Sequence, residues 1–329
     1  MSDTPPDKQP EFPRKRFLIV GRAGMDFYPD PPGTRTEEAT RFVSCLGGSS
    51  ANIAVALVKQ GCTAALVTRV SDDAIGRYAL NQLGHYGVDR RHVSPAGGEA
   101  RNSLAVVETR VEDHQSVIYR NGAADFAMTT ADVEAVDLAP FDALITTGTV
   151  FAADPSRTAA FRAFDLARAR GLPLIFDIDY RPYSWTSAEF AADVLSRAGE
   201  MCDVIVGNDE EFGFMAGAYE KGLEKARTLA KAGKLVVYKM GENGAITFAD
   251  GGEFRTGIYP TAALKPTGAG DGFMGGLIAA LANGHDVKTA VLRGSATAAM
   301  VVARVGCAPA MPTTQELEAF LADHPGPTE

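Results

Sequence analysis

The sequence predicts an α/β fold: a mostly parallel sheet with helices on both faces, plus a small β-sheet lid. Three observations predict it. From residue 125 onward, short apolar runs alternate with helical stretches, the pattern of a parallel sheet covered on both sides. Near 103–120, two strand-like runs follow each other with no helix between them. A glycine-rich turn, Lys265-Pro-Thr-Gly-Ala-Gly-Asp-Gly-Phe273, opens a long apolar helix stopped by Asn283-Gly284.

In chain order, 17–20 is a short apolar run ending at Gly21, and reads as a buried strand. Asp26 falls just beyond its carboxyl end, where open α/β sheets place ligands. Asp30-Pro-Pro-Gly33 is a turn, and 42–46 a short strand. Gly47-Gly48-Ser-Ser-Ala-Asn52 leads into an apolar helix over 53–60, ended by Gly61. A strand at 64–70 and a helix at 74–86 follow. The runs 103–111 and 116–120 form a hairpin across Glu112-Asp-His114; with 36–46 they make the lid. Further strands are expected at 143–147, 172–177, 204–206 and 235–239. Helices are expected near 156–170, 187–199 and 219–232, then at 271–283, 287–303 and from Thr314. The organisation is a disordered tail (1–16), a single domain (17–322, lid from about 27–46 and 101–122) and a loose tail (323–329).

A net charge of −9 with no long basic block excludes a nucleic-acid partner held through phosphates, but not a small anion met by a local cluster. Cys45, Cys62, Cys202 and Cys307 are scattered, which fits a reducing cytoplasm. The five histidines make no His-x-x-x-His pair, so no protein-built zinc site is expected. Residues 1–16 lack the apolar segment of a signal peptide, and no run is long enough to span a bilayer.

The glycine turn offers backbone N–H groups, joined by those of the helix's first turn, as an anion site. Asp271 would repel a phosphate there unless it faces the group that attacks it; the competing reading is an ordinary N-cap. Gly47-Gly48 lets a ligand lie against the backbone, and Asn52 both donates and accepts; the alternative is a glycine turn with a Ser N-cap. In Asp177-Ile-Asp-Tyr-Arg-Pro-Tyr183, Arg181 can grip a carboxylate or phosphate with two bonds, or the segment is a polar loop. Asn208-Asp-Glu-Glu211 reads as a capping box, or as Glu211 orienting water on magnesium. Lys239-Met-Gly-Glu-Asn-Gly244 suits a hairpin with or without a nucleotide on it.

In this order and over about 17–322, these pieces resemble the ribokinase-like, or PfkB, carbohydrate kinases. Gly47-Gly48-Ser-Ser-Ala-Asn52 is similar to that family's N-terminal signature, Pro266-Thr-Gly-Ala-Gly-Asp271 to its C-terminal one, and Asn208-Asp-Glu-Glu211 to its Asn-x-x-Glu element. The resemblance implies a ribokinase-like fold and ATP-dependent phosphorylation of a sugar-like hydroxyl with Mg2+. Asp271 would be the general base, ionised at neutral pH, and the amides of Gly268, Ala269 and Gly270 the anion hole. Asp26, Gly48 and Asn52 would bind the acceptor. Asn208 and Thr267 would serve the phosphates, and Glu211 the metal through water. Lys239, Gly241, Gly244, Ser295 and Ala298 would border the nucleotide.

Arg22, Arg101, Arg120 and Arg181 make the acceptor side resemble the sugar-acid kinases of the family, with Arg181 and Arg120 favoured for the carboxylate and Arg101 read as a surface residue. Lys265-Pro-Thr stands where many members have Asp-Thr-Thr, whose Asp helps bind a monovalent cation. Potassium is therefore doubtful as a cofactor, and the Lys265 ammonium is expected to supply the missing charge. Lids of this fold often pair edge to edge, which implies a homodimer. Two rival readings stay open: a nicotinamide dehydrogenase using Gly270-x-Gly272-x-x-Gly275, and a non-catalytic sugar-binding protein.

Overall fold

Every residue from Phe17 to Val20 is buried because this strand runs through the middle of a sheet covered on both faces. In the computed structural model, which describes residues 10–324 and 326–327, Phe17 and Ile19 join one apolar cluster and Leu18 and Val20 the other. That split is what a strand's alternation produces when both faces meet helices.

Among the described residues there are thirteen strands: β1 (Arg16–Val20), β2 (Gly24–Pro29), β3 (Phe42–Gly47), β4 (Thr63–Ser71), β5 (Asp89–Ala96), β6 (Leu104–Val107), β7 (Ser116–Tyr119), β8 (Ala143–Thr147), β9 (Leu174–Asp177), β10 (Val204–Asn208), β11 (Leu235–Lys239), β12 (Ala245–Ala249) and β13 (Gly252–Thr256). The α-helices are α1 (Ser49–Lys59), α2 (Ala74–His85), α3 (Thr130–Glu134), α4 (Ser156–Ala169), α5 (Ala188–Met201), α6 (Asp209–Met215), α7 (Gly222–Lys231), α8 (Ala269–Ala282), α9 (Val287–Val302) and α10 (Thr314–Asp323). The large sheet has nine strands in the order β13-β12-β11-β10-β9-β8-β1-β4-β5. It is parallel from β11 to β5, with β12 and β13 added antiparallel at one edge. Side chains of α1, α2, α8 and α9 fill one cluster, and those of α4, α5, α6 and α7 the other.

The second sheet has four strands in the order β3-β2-β6-β7. Its inner face packs Tyr28, Cys45, Ala105 and Val107, while Phe42, Val43, Val117 and Tyr119 are exposed.

Several expectations need correction. Asp26 is not in a loop after β1 but within β2, opposite Cys45 and Ala105, so the small sheet itself holds it. Strands β5 and β13 and the short α3 were not foreseen, whereas β12 returns antiparallel to β11 across the Gly241–Gly244 turn, as the hairpin reading expects. β5 is an edge strand carrying Asp89, Arg90, Arg91 and His92, with no apolar alternation to mark it. The β12–β13 hairpin did have a signal, Asp250-Gly251, and both residues take the positive φ (50° and 73°) that such a turn requires. Within the expected disordered tail, residues 1–9 lie outside the described residues, but 10–16 are docked. Phe12 is buried edge-on against Phe17, and the Arg14 N–H donates to Asp142 at 2.7 Å. The expected loose end from 323 starts inside α10, and 325, 328 and 329 lie outside the described residues. Among the described residues no helix is long and apolar enough to cross a membrane.

Candidate active site

A cavity of about 740 Å³ opens between the carboxyl ends of the central strands and the small sheet. Asp177, Asn208 and Lys239 reach it from the ends of β9, β10 and β11; Ala105, Val107, Ser116 and Ile118 reach it from the small sheet. The amino ends of α1 and α8 enter it with Gly48, Ser49 and Asn52 and with Gly268–Asp271; the Ala51 N–H of α1 already donates to the Arg22 carbonyl, so the free first-turn N–H groups are chiefly those of α8.

Gly268 is the N-cap of α8 and takes φ +87°, a left-handed conformation that glycine adopts without a Cβ penalty. The first amide to bond back is that of Gly272, to the Gly268 carbonyl at 3.0 Å. Asp271 therefore lies inside the first turn, and its side chain makes no cap bond, so the N-cap reading falls. Its Oδ2 instead accepts from Asn52 Nδ2 at 2.7 Å. Burial, with Asp179 adding, pushes Asp271 up to about 7, against the Asn52 bond, Arg181 and Arg22. The sequence expectation of a fully ionised carboxylate is corrected: in the ligand-free protein its proton affinity is tuned close to neutrality. The Ser N-cap reading of the other turn also falls, since Gly48 is the N-cap of α1.

On the acceptor side, burial raises Asp26 to about 6, opposed by Arg22, by the Tyr28 hydroxyl at 3.4 Å and by Lys265. Arg22 is buried in the cavity wall, donates to Ser103 Oγ at 3.3 Å, and keeps its Nε without a partner. Arg181 also lines the cavity but pairs with Asp179 at 2.8 Å. Asp179 is buried and held at φ +35°, a strained backbone of the kind that clusters at functional sites. The structure does not bring Arg120 to the cavity wall. Its guanidinium is buried in an ion pair with Asp125, donates to the Thr149 carbonyl at 3.0 Å, and stacks on Phe126. Arg101 is exposed, and its guanidinium donates to the nearby carbonyls of Gly98 and Ala100.

On the phosphate side, Asn208 and Glu211 form the capping box in full, with both bonds at 2.8 Å. Glu211 is nevertheless buried in the cavity wall, with its Oε1 only 3.9 Å from Arg181. Burial raises the proton affinity of Asp177 and Glu211 above the usual carboxylate range, Lys239 opposing in both. Lys239 Nζ would lie 3.5 Å from a Cβ on Gly270 and sits 5.4 Å from the Phe273 ring centre, so its ammonium overhangs the turn. Thr267, Gly241, Gly244, Ser295 and Ala298 all line the cavity.

The cavity wall carries Asp26, Asp177, Asp179, Glu211, Glu242 and Asp271 against Arg22, Arg181 and Lys239. Such a surplus of acid admits a polyphosphate only with a cation. No cluster of three or more metal-ligating side chains occurs among the described residues. The donor set fits magnesium held by one or two carboxylates, waters and the ligand's own phosphates. Sequence reading singled out neither the loop Ile258, Tyr259, Thr261 and Ala263, nor Cys307, all of which line the cavity. No motif marks that loop, and a lone cysteine carries no signal.

The profile of the pfkB family carbohydrate kinases matches residues 14–314. A 5-dehydro-2-deoxygluconokinase of Geobacillus kaustophilus is 34% identical over 314 residues, covering 94% of each chain. The crystal structure of a PfkB protein from Polaromonas sp. JS666 superposes with a TM-score of 0.79 at 30% identity, over 92% of this chain and 99% of that one. A double mutant of Vibrio cholerae O395 fructokinase, in fructose, ADP and potassium ion bound form, gives 0.81 at 25% identity, over 94% and 99%. The fold is ribokinase-like, with the large, mostly parallel sheet and the small second sheet that the sequence led one to expect.

Proposed function

The chain belongs to the pfkB family of carbohydrate kinases, and from that premise we propose that it transfers the terminal phosphoryl group of ATP to a hydroxyl of 5-dehydro-2-deoxy-D-gluconate in myo-inositol breakdown. The observation that carries the reading is a half-buried Asp271 tuned to about 7, bonded to Asn52, beside the amides of the turn that opens α8. A base whose proton affinity is near the working pH is best placed to take a hydroxyl proton as the O–P bond forms.

In this reading Asp26, Gly48 and Asn52 orient the acceptor, and its hydroxyl attacks the terminal phosphorus while the bond to the ADP oxygen breaks. The proton passes to Asp271. The amides of Gly268, Ala269 and Gly270, with Lys239, meet charge on the moving phosphoryl group. Glu211, Asp177 and Asn208 would hold the hydrated magnesium, which neutralises phosphate charge when bound. Arg22, with an unused Nε, is the favoured partner of the substrate carboxylate; Arg181 is second because Asp179 already neutralises it.

The dehydrogenase reading loses its support, because Gly275 lies within α8 and packs on α1: a Cβ there would come 2.3 Å from that of Ala56. A non-catalytic binder is separated from a kinase by the assay alone, since it releases no ADP with any acceptor. The deciding experiment is ADP release and product mass with 5-dehydro-2-deoxygluconate, 2-keto-3-deoxygluconate and a neutral hexose. The reading expects the first to be phosphorylated best. Faster turnover of the second would move the assignment to that substrate, and ADP from none would return it to a binding protein. The same reading carries a homodimer through the small sheet, whose outer rows expose Phe42 and Tyr119; sedimentation tests it.

A further inference from the structure

Lys265 is a charged residue with no exposed surface. Its ammonium donates to the carbonyl oxygen of Thr267 at 2.6 Å and to that of Val301 at 3.3 Å. Neither partner is a carboxylate. An ammonium ion so buried is expensive unless it is well paired, and here main-chain dipoles do the pairing, as they do for a bound alkali ion. One acceptor, Val301, belongs to the last turn of α9, the end of a helix that attracts cations.

The other acceptor matters more. Thr267 shares a peptide with Gly268, and in a planar trans peptide the C=O and N–H point to opposite sides. Holding the Thr267 oxygen on Lys265 therefore turns the Gly268 N–H away from Lys265. Both residues line the cavity. Burial lowers the proton affinity of the ammonium, while Cys307, Asp26 and Asp271 hold it up, so its charge is felt at both the acceptor side and the base.

We propose that Lys265 is a built-in monovalent cation: it sets the Thr267–Gly268 peptide with its N–H toward the anion site and supplies positive charge behind that turn, so that turnover needs no added potassium. This inference rests on the kinase reading above. Lys265 acts through the turn and is a positioning residue.

The test has two arms. Wild-type turnover is measured in potassium, sodium and N-methylglucamine salts of equal ionic strength, and should be the same in all three. Lys265→Ala and the volume-conserving Lys265→Met are then assayed for turnover and, by calorimetry, for Mg·ADP binding. Both should lose about tenfold or more in turnover, less than the roughly 10²–10³-fold that follows outright loss of a preorganised donor, because the Gly268 N–H is misplaced and not removed. Both should also bind Mg·ADP more weakly, and potassium should restore Lys265→Ala in part. Strong potassium activation of the wild type, or wild-type behaviour of Lys265→Met, overturns the inference. If the variants do not fold, the wild-type arm decides alone. If no acceptor is phosphorylated, the kinase reading fails, while the potassium response of Mg·ADP binding still judges Lys265.

Discussion

Asn52 donates from its side-chain amide to Asp271 Oδ2 across 2.7 Å, joining the first turns of α1 and α8 over 219 residues of sequence. That bond fixes one carboxylate oxygen and opposes the effect of burial on its proton. With Asp271 raised to about 7, kcat/KM should fall as pH drops through about 7, because only the ionised form accepts a proton. Asn52→Leu removes the bond that lowers this value, so the acidic limb should move to higher pH. A limb that stays in place in the variant would separate Asp271 from the pH dependence.

Asp271→Asn should cut turnover by about 10²–10⁴-fold with little change in KM, the pattern for a group used only in the transition state. Its effect on stability should have the opposite sign. A carboxyl whose folded value lies above its unfolded one contributes stability fully below about pH 4, and loses it as pH rises through about 7. At pH 8 the ligand-free Asn variant should therefore melt higher than wild type, by an amount on the order of 1–3 kcal/mol, and at pH 4 the gain should vanish. Thermal melts at the two pH values check this.

Arg22 and Arg120 should separate cleanly. Arg22→Met should raise KM for a sugar acid while leaving the melting temperature near wild type, and should have little effect on a neutral sugar. Arg120→Met leaves Asp125 buried without its partner, one oxygen of which is already unsatisfied. It should destabilise the fold by about 3–5 kcal/mol, the usual result of breaking a buried pair. Equal loss of sugar-acid affinity in both variants would mean that Arg120 reaches the substrate after all.

What the sequence revealed follows from which forces are local. The strands β1, β8, β9, β10 and β11 announce themselves because burial on both faces demands unbroken apolar runs. The turns before α1 and α8 are legible because a backbone that must stay open to a ligand requires glycine. The strand β5, rich in charge at the sheet edge, has no such demand on it. The arginines are ranked wrongly in sequence: Arg120 is favoured over Arg22, and the order reverses once the fold supplies Ser103 to Arg22 and the buried Asp125 to Arg120. Lys265 is marked in sequence only by the Asp it replaces in the family's motif; that its ammonium is enclosed and held by carbonyls follows from the packing of α9 against the turn.

Gly268 links the two halves of the site. An alanine there would have to hold φ near +87°, at a cost of about 1–2 kcal/mol for an L-residue. Its Cβ would also stand 2.7 Å from Cys307 Sγ, which cannot stay where it is. Cys307 is buried and lies 3.2 Å from the Tyr28 hydroxyl, which in turn donates to Asp26 at 3.4 Å. The push therefore runs from the anion-holding turn toward the acceptor carboxylate. Gly268→Ala should lower turnover and raise the acceptor KM together, although Gly268 would contact only phosphate. Adding Cys307→Ala makes room for the methyl group and should restore the acceptor KM, while the backbone strain keeps turnover low. The coupling between the two changes should be about 1–2 kcal/mol in kcat/KM, within the range for residues in contact. Additive effects would mean that the thiol moves without disturbing Tyr28, and that the acceptor side does not sense the turn.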